Sequence, residues 1–224
     1  EVFTSHEALL LPFEQALVRR DPRSGQNYAS SGHFLWIGAR TLFANSAHVE
    51  LLRGLANPIG LKCGPEHAAE TLVEVLGRLN PDRMAGRITL IVRLGRDRIR
   101  TLAPLVRAVG AAGQPVLWCC DPLHGNTWLD GGGTKRRSMA DVEAEAADFF
   151  EIMALEGATA GGLHLEMTSL PLLECDEVDA VTGGRDDGEC RDPRLNPDQA
   201  RRLARLAAGA LTRRAEPSLA FAAP

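Results

Sequence analysis

Pro115-Val116-Leu117-Trp118-Cys119-Cys120-Asp121-Pro122-Leu123-His124-Gly125-Asn126 is the stretch on which the fold turns. A short apolar run stops at Asp121-Pro122, and residues with polar chemistry follow at once. That is the pattern of a buried strand running into a loop. Similar runs span His33 to Ile37, Ile59 to Lys62, Ile88 to Leu94 and Gly162 to Met167. Amphipathic stretches lie between them, at Ala47 to Leu55, Pro65 to Leu79, Ile99 to Ala112 and Ala140 to Leu155. A last helix fits Pro197 to Leu211, with Pro197 at its first position after Asn196. At the other end, residues 5 to 20 read as a helix, with Thr4 and Glu7 as a capping box and Leu9, Leu10, Phe13 and Leu17 at helical spacing. Asp21 to Gly25 breaks it.

The first four runs recur about every 25 to 30 residues, the length of a βα unit. Alternating apolar runs and helices imply an α/β fold with a parallel sheet. It is either an open doubly wound sheet or a (β/α)8 barrel, whose repeat is about 30 residues. No G-x-G-x-x-G follows a strand, and Gly131-Gly132-Gly133 is a loop, which weakens the dinucleotide-binding option. Only five runs qualify as strands, so a full barrel is three short.

Composition narrows the classes. The chain has 224 residues, 45% apolar and 24% charged, enough for one large core. Its net charge of -4 argues against a nucleic-acid binder. There is no apolar run long enough for a membrane span and no secretory leader, which points to the cytoplasm. The five cysteines are odd in number and form no C-x-x-C pair, so neither a zinc ribbon nor a disulfide scaffold is expected. Lys62 and Lys135 are the only lysines among 25 basic residues. In so arginine-rich a chain, they mark places where a point charge is needed.

In α/β sheets and barrels the chemistry gathers at the carboxyl ends of the strands. Arg40, Lys62 and Arg93 each follow a run, and three converging cations suit a phosphate or carboxylate. His124, Glu166 and Asp192 combine one imidazole with two carboxylates, a donor set for a divalent metal such as Mn2+. Each also has a plain reading. Most arginines in such a chain are solvated, and a histidine in a Pro-Leu-His-Gly-Asn turn is unremarkable by itself. His6, His48 and His67 fall in helical patterns and are expected to be exposed. Trp36, Trp118 and the Cys119-Cys120 pair are expected in the core. From the residues alone, the reading is an α/β enzyme acting on an anion, with or without a metal.

The strand ends also carry a resemblance. Thr4-Ser5-His6-Glu7-Ala8-Leu9-Leu10-Leu11, Trp36-Ile37-Gly38-Ala39-Arg40-Thr41, Asn57-Pro58-Ile59-Gly60-Leu61-Lys62, Cys120-Asp121-Pro122-Leu123-His124-Gly125-Asn126-Thr127, Gly161-Gly162-Leu163-His164-Leu165-Glu166 and Asp192-Pro193-Arg194-Leu195-Asn196 stand in the order found in type II 3-deoxy-D-arabino-heptulosonate 7-phosphate (DAHP) synthases, and the chain resembles that family along nearly its whole length. The stretch from Leu170 to Gly188 matches it loosely.

The resemblance implies a TIM-type (β/α)8 barrel. It would be present as a single partial domain over residues 1–224, of about five βα units, with the first strands missing. It implies a metal-dependent condensation of phosphoenolpyruvate with erythrose 4-phosphate, the opening step of the shikimate pathway. His124, Glu166 and Asp192 match metal ligands, for Mn2+ or Co2+. Ala39, Arg40, Lys62 and Arg93 match the phosphoenolpyruvate site. Lys135 and Arg137 match a loop near the second substrate. Lys62 and His124 stand as the catalytic candidates.

Three departures accompany the match. An early Arg and a Lys-Pro-Arg-Ser stretch, which grip substrate in the family, have no counterpart here. The family's fourth metal ligand, a cysteine on an earlier strand, has no counterpart here. The family's Glu before the Arg of the Trp-Ile-Gly motif is Ala39. A half-exposed barrel interior is expected to make the chain a homo-oligomer, or to be covered by the missing segment supplied elsewhere. The other readings are a non-catalytic homologue that binds anions or a partner, a variant enzyme of phenazine or amino-shikimate metabolism, and a Schiff-base aldolase using Lys62.

Overall fold

The computed structural model describes residues 1–177 and 192–215. Six parallel strands form the central sheet. In spatial order they are β1 (Ser5–Glu7), β4 (Phe34–Ile37), β5 (Ile59–Cys63), β6 (Ile88–Val92), β7 (Val116–Cys120) and β10 (Ala160–Leu163). Five were expected. The sixth, β1, lies inside the stretch read as a helix, and that reading is corrected.

The reason is Pro12. A proline in mid-helix has no N–H to donate and clashes with the preceding turn, so one helix cannot run from 5 to 20. The chain forms instead β1, then α1 (Leu11–Ala16) with Pro12 in its first turn. An antiparallel hairpin follows, β2 (Val18–Arg20) with β3 (Asn27–Ala29), and a second, β8 (Trp128–Leu129) with β9 (Lys135–Arg136), lies between β7 and β10 in the chain. Thr4 does not cap a helix: its hydroxyl bonds His33 Nδ1 at 2.7 Å, and its carbonyl accepts the N–H groups of His33 and Phe34. The expected break at Asp21 is the hairpin turn, where the Asp21 carboxylate accepts the Ser24 N–H.

Elsewhere the expected periodicities hold. On α3 (Ala69–Leu79) the buried residues are Leu72, Val75, Leu76 and Leu79, one face at helical spacing. Helices α2 (Ala47–Arg53), α4 (Leu102–Ala111) and α5 (Met139–Leu155) follow the same rhythm. Asn196 and Gln199 cap α6 (Pro197–Ala215) reciprocally: the Asn196 side chain accepts the Gln199 N–H, and the Gln199 side chain accepts the Asn196 N–H.

Strand β5 is buried along its whole length, and on β4 Leu35 and Ile37 are buried while Phe34 and Trp36 are half-buried. Trp36 pairs in register with Gly60, so Trp36, Gly60 and Lys62 share the inner face. That face curls. Trp36 on β4 meets His164, just past β10, edge to face at 4.9 Å between ring centroids. In a flat sheet those strands, four places apart, would be about 19 Å apart. The curl is the geometry of a barrel wall. It also corrects the placement of Trp36, which faces the interior cleft rather than packed core. Trp118 and Cys120 are buried as expected, and Cys119 is half-buried. His6, on β1, His48, on α2, and His67, which precedes α3, are all half-buried and not exposed.

Candidate active site

The strand ends open into one cleft of about 490 Å3, whose lining includes Ala39, Arg40, Lys62, Arg93, His124, Lys135 and Asp192. Its two sides are built differently.

Lys62 is the fourth residue of β5 and points inward, 7% exposed. It bonds the fully buried Asp121 carboxylate, the first residue after β7. Arg93 follows β6 directly, its N–H donating to the Cys63 carbonyl, and its guanidinium pairs with Glu66 at 3.3 Å. Arg40 sits exposed in a 310 turn after β4, beside Ala39. The Ala39 carbonyl is bonded by His67 Nε2 at 3.1 Å. Glu7 of β1 lines the same cleft and lies over Gly38, where a Cβ would stand 2.2 Å from the Glu7 carboxylate. A carboxylate is thus present near Ala39, contributed by a different strand.

On the other side, ligand atoms of His124, Glu166 and Asp192 lie within 4.8 Å of one another. His124 Nε2 is 3.8 Å from Glu166 and 3.6 Å from Asp192. These three come from loops. The His124 loop is pressed against the end of β6, where Gly95 has a φ of 82° and a Cβ on it would fall 2.6 Å from the Gly125 carbonyl oxygen. No side chain fits at that approach. Glu166 lies three residues beyond β10, since the regular strand ends at Leu163, earlier than expected. The Leu195 N–H donates to the Glu166 carbonyl, and Thr168 N–H to Leu195, which draws the Asp192 segment alongside.

Arg137, completely buried, closes the back of this side. It pairs with Glu166 at 3.1 Å and lies 3.5 Å from Asp192, and it also bonds the Thr127 hydroxyl and the Pro193 carbonyl. Lys135 pairs with Asp192 at 2.7 Å. So the structure brings all nine residues singled out in the sequence to one place, with Arg137 behind the carboxylates rather than in the open cleft.

The charges are tuned accordingly. Burial pushes the Asp121 carboxyl up, but its bond from His124 and the Lys62 charge more than offset this and hold it well below the usual carboxylate range. Burial likewise opposes ionisation of Asp192, and Lys135 and Arg137 outweigh it, lowering the pKa. Burial, with Lys62 nearby, brings His164 down to about 4, so it is neutral at pH 7. Burial raises Cys119 to about 11, so it is a thiol at pH 7. One imidazole nitrogen and two carboxylates, backed by two cations, fit a hard or borderline divalent ion. Among the described residues this is the one cluster of that kind; Cys190 lies outside them.

Residues 1–208 match the model of the class-II DAHP synthetase family. The chain belongs to that family. It is 45% identical to a phospho-2-dehydro-3-deoxyheptonate aldolase of Streptomyces coelicolor, and 40% identical to one of Mycolicibacterium smegmatis. Each comparison covers 93% of this chain and 47% of the relative. A probable chloroplastic phospho-2-dehydro-3-deoxyheptonate aldolase of Catharanthus roseus is 44% identical over 91% of this chain and 40% of its own length. The chain therefore spans about half the length of the curated relatives it matches. The residue list drawn from the sequence omitted Asp121, although it stands in the quoted motif. The signal was there: a carboxylate directly at a strand end, in an apolar setting, has to be paired.

Proposed function

We propose that the protein works as a 3-deoxy-7-phosphoheptulonate synthase, joining phosphoenolpyruvate to erythrose 4-phosphate. One observation carries this within the family: a floor of cations and a His-Glu-Asp cluster share a single cleft. Arg40, Lys62 and Arg93 would hold phosphoenolpyruvate through its phosphate and carboxylate. Lys135 would meet the second substrate, and Arg137 would hold the carboxylates that face it. His124, Glu166 and Asp192 would hold a divalent cation, Mn2+ or Co2+. When bound, such an ion supplies Lewis-acid polarisation of an aldehyde carbonyl.

The chain's own contribution is positioning. Fixed cations set two anionic substrates within reach of each other, so that C3 of the enol meets the aldehyde carbon. Water then adds at C2 and inorganic phosphate leaves, with the carbon–oxygen bond to phosphate broken and a ketone formed. His164, neutral and packed on Trp36, adds no charge to the floor. Residues 1–224 would form one barrel-type domain, in the cytoplasm, assembled with copies of itself or with the segment that its relatives carry in addition. Among the described residues, no helix is long and apolar enough to cross a membrane.

The test is phosphate release by the purified protein from the two substrates with Mn2+ or Co2+. Release abolished in His124→Ala and in Glu166→Ala supports the proposal. Mn2+ binding with no release supports the second reading, a homologue that binds without turnover, which Ala39 favours because it removes the family's carboxylate from the anion site.

A further inference from the structure

Asp121 is wholly buried and accepts from four donors. Its Oδ2 takes Lys62 Nζ and His124 Nδ1, the latter at 2.7 Å. Its Oδ1 takes the backbone N–H groups of Leu123 at 3.1 Å and His124 at 3.2 Å. Lys62 and the two backbone N–H groups can only donate, and an ionised carboxylate accepts all four contacts with no proton of its own to place. Two consequences follow. A carboxylate that only accepts requires His124 to carry its proton on Nδ1, which leaves the Nε2 lone pair turned toward Glu166 and Asp192. And the same oxygen that orients the histidine holds the Lys62 ammonium down at the floor of the cleft, cancelling part of its field.

We propose that Asp121 is a positioning residue common to both sides of the cleft, holding His124 ready for a divalent cation while restraining Lys62 as an anion-binding charge. This rests on the reading of His124 and Lys62 given under Proposed function. It makes the two sides respond in opposite directions to one substitution. In Asp121→Asn the backbone donors keep the amide oxygen, and the NH2 group replaces Oδ2. Two donors, Lys62 and His124 Nδ1–H, then face a third. The histidine is driven to accept through Nδ1 and to carry its proton on Nε2, the wrong tautomer for a metal ligand. Lys62 is pushed off the amide and its charge is no longer offset.

The experiment measures Mn2+ binding, and inorganic phosphate binding to the metal-free protein, for wild type and Asp121→Asn. Mn2+ affinity is expected to fall about 10- to 100-fold. Phosphate affinity is expected to rise about tenfold, the effect of removing one opposing charge a few ångströms from Lys62. A variant that merely loosens the structure loses both, and that result, or no change in either, overturns the inference. A measurement on the wild type guards against a variant that does not fold: the 15N NMR signals of His124 should show a protonated Nδ1, and a protonated Nε2 in the neutral ring sinks the idea. Failure of the functional reading looks different. Wild type that binds both ions but releases no phosphate from the substrates leaves Asp121's role standing, whereas wild type that binds neither ion overturns both.

Discussion

On one side of the cleft, Lys62 and Arg93 stand in or directly after β5 and β6, and Arg40 follows β4 by a short turn. On the other side, His124, Glu166 and Asp192 all lie in loops, and what fixes them is a set of buried polar groups: Asp121, Arg137 and the backbone link from Leu195 to Glu166. Strand register holds the first side, and electrostatics the second. The difference teaches where each side is vulnerable. Charges set by register can be removed one at a time, unless they are buried. Charges set by one another fail together.

Lys62 is the exception on its own side, and it should show the largest effect. Lys62→Met leaves the buried Asp121 carboxylate without its cation. The expected loss is about 3–5 kcal/mol of unfolding free energy. Arg40→Met, at an exposed position, should stay within about 0.5 kcal/mol. Urea denaturation of both variants decides the matter. Equal losses would break the distinction between the buried and the open cation.

Glu145 of α5 joins the two sides. Its carboxylate accepts the N–H groups of Leu94 and Gly95 at the end of β6 and the side-chain amide of Asn126 beside His124. Burial pushes it up to about 7, against those donors. A carboxyl with a raised folded pKa binds its proton more tightly in the folded state than in the unfolded one. Its contribution is therefore full below its ordinary value of 4.5 and is lost as pH rises to about 7. The change is roughly 3 kcal/mol across that window. Glu145→Gln removes the titration, so wild type should lose stability relative to this variant between those pH values. Parallel curves of melting temperature against pH would show that Glu145 does not titrate there.

Arg137 gives the next effect. Arg137→Met leaves Glu166 without its cation and Asp192 with Lys135 alone. Both carboxylates are about a third open to water, so screening reduces the cost below that of a fully buried pair, to about 2 kcal/mol. Excess Mn2+ should restore part of it, because a cation between the carboxylates does the same electrostatic work. A loss unchanged by Mn2+ would mean that Arg137 acts through its bonds to Thr127 and Pro193 instead.

These contrasts also explain what could be read from residues alone. The cations were legible because strand ends follow from the period of apolar runs, and Lys62 stood out in an arginine-rich chain. β1 was not legible. Ser5-His6-Glu7 has no apolar residue to set a period, and only its pairing with β4 makes it a strand. The partnership of Glu166 and Asp192 came from motifs and not from spacing, because the bridge between Met167 and Leu195 joins residues far apart in the chain. Burial of Arg137 was hidden for a related reason: Lys135-Arg136-Arg137 reads as a solvated basic loop until the carboxylates behind it are placed.

The smallest effect concerns Ala39, where the resemblance drawn from the sequence implies a glutamate. It neighbours Arg40 and lines the cleft, so a longer side chain grown from it enters the space where an anion would sit. Ala39→Glu adds a negative charge beside a cation that strand register leaves exposed. In that half-open setting the penalty is modest, about 1 kcal/mol, or roughly a fivefold weaker hold on inorganic phosphate. Being near water, the effect should shrink as salt is raised, since exposed charges are screened beyond about 10 Å at 0.1 M. The change made by Asp121→Asn, behind a buried carboxylate, should resist salt. Phosphate titrations of the two variants at low and high ionic strength therefore compare the open and the buried charge directly. If Ala39→Glu instead tightens phosphate binding, residue 39 acts by orienting Arg40, and Glu7 from β1 does not take its place.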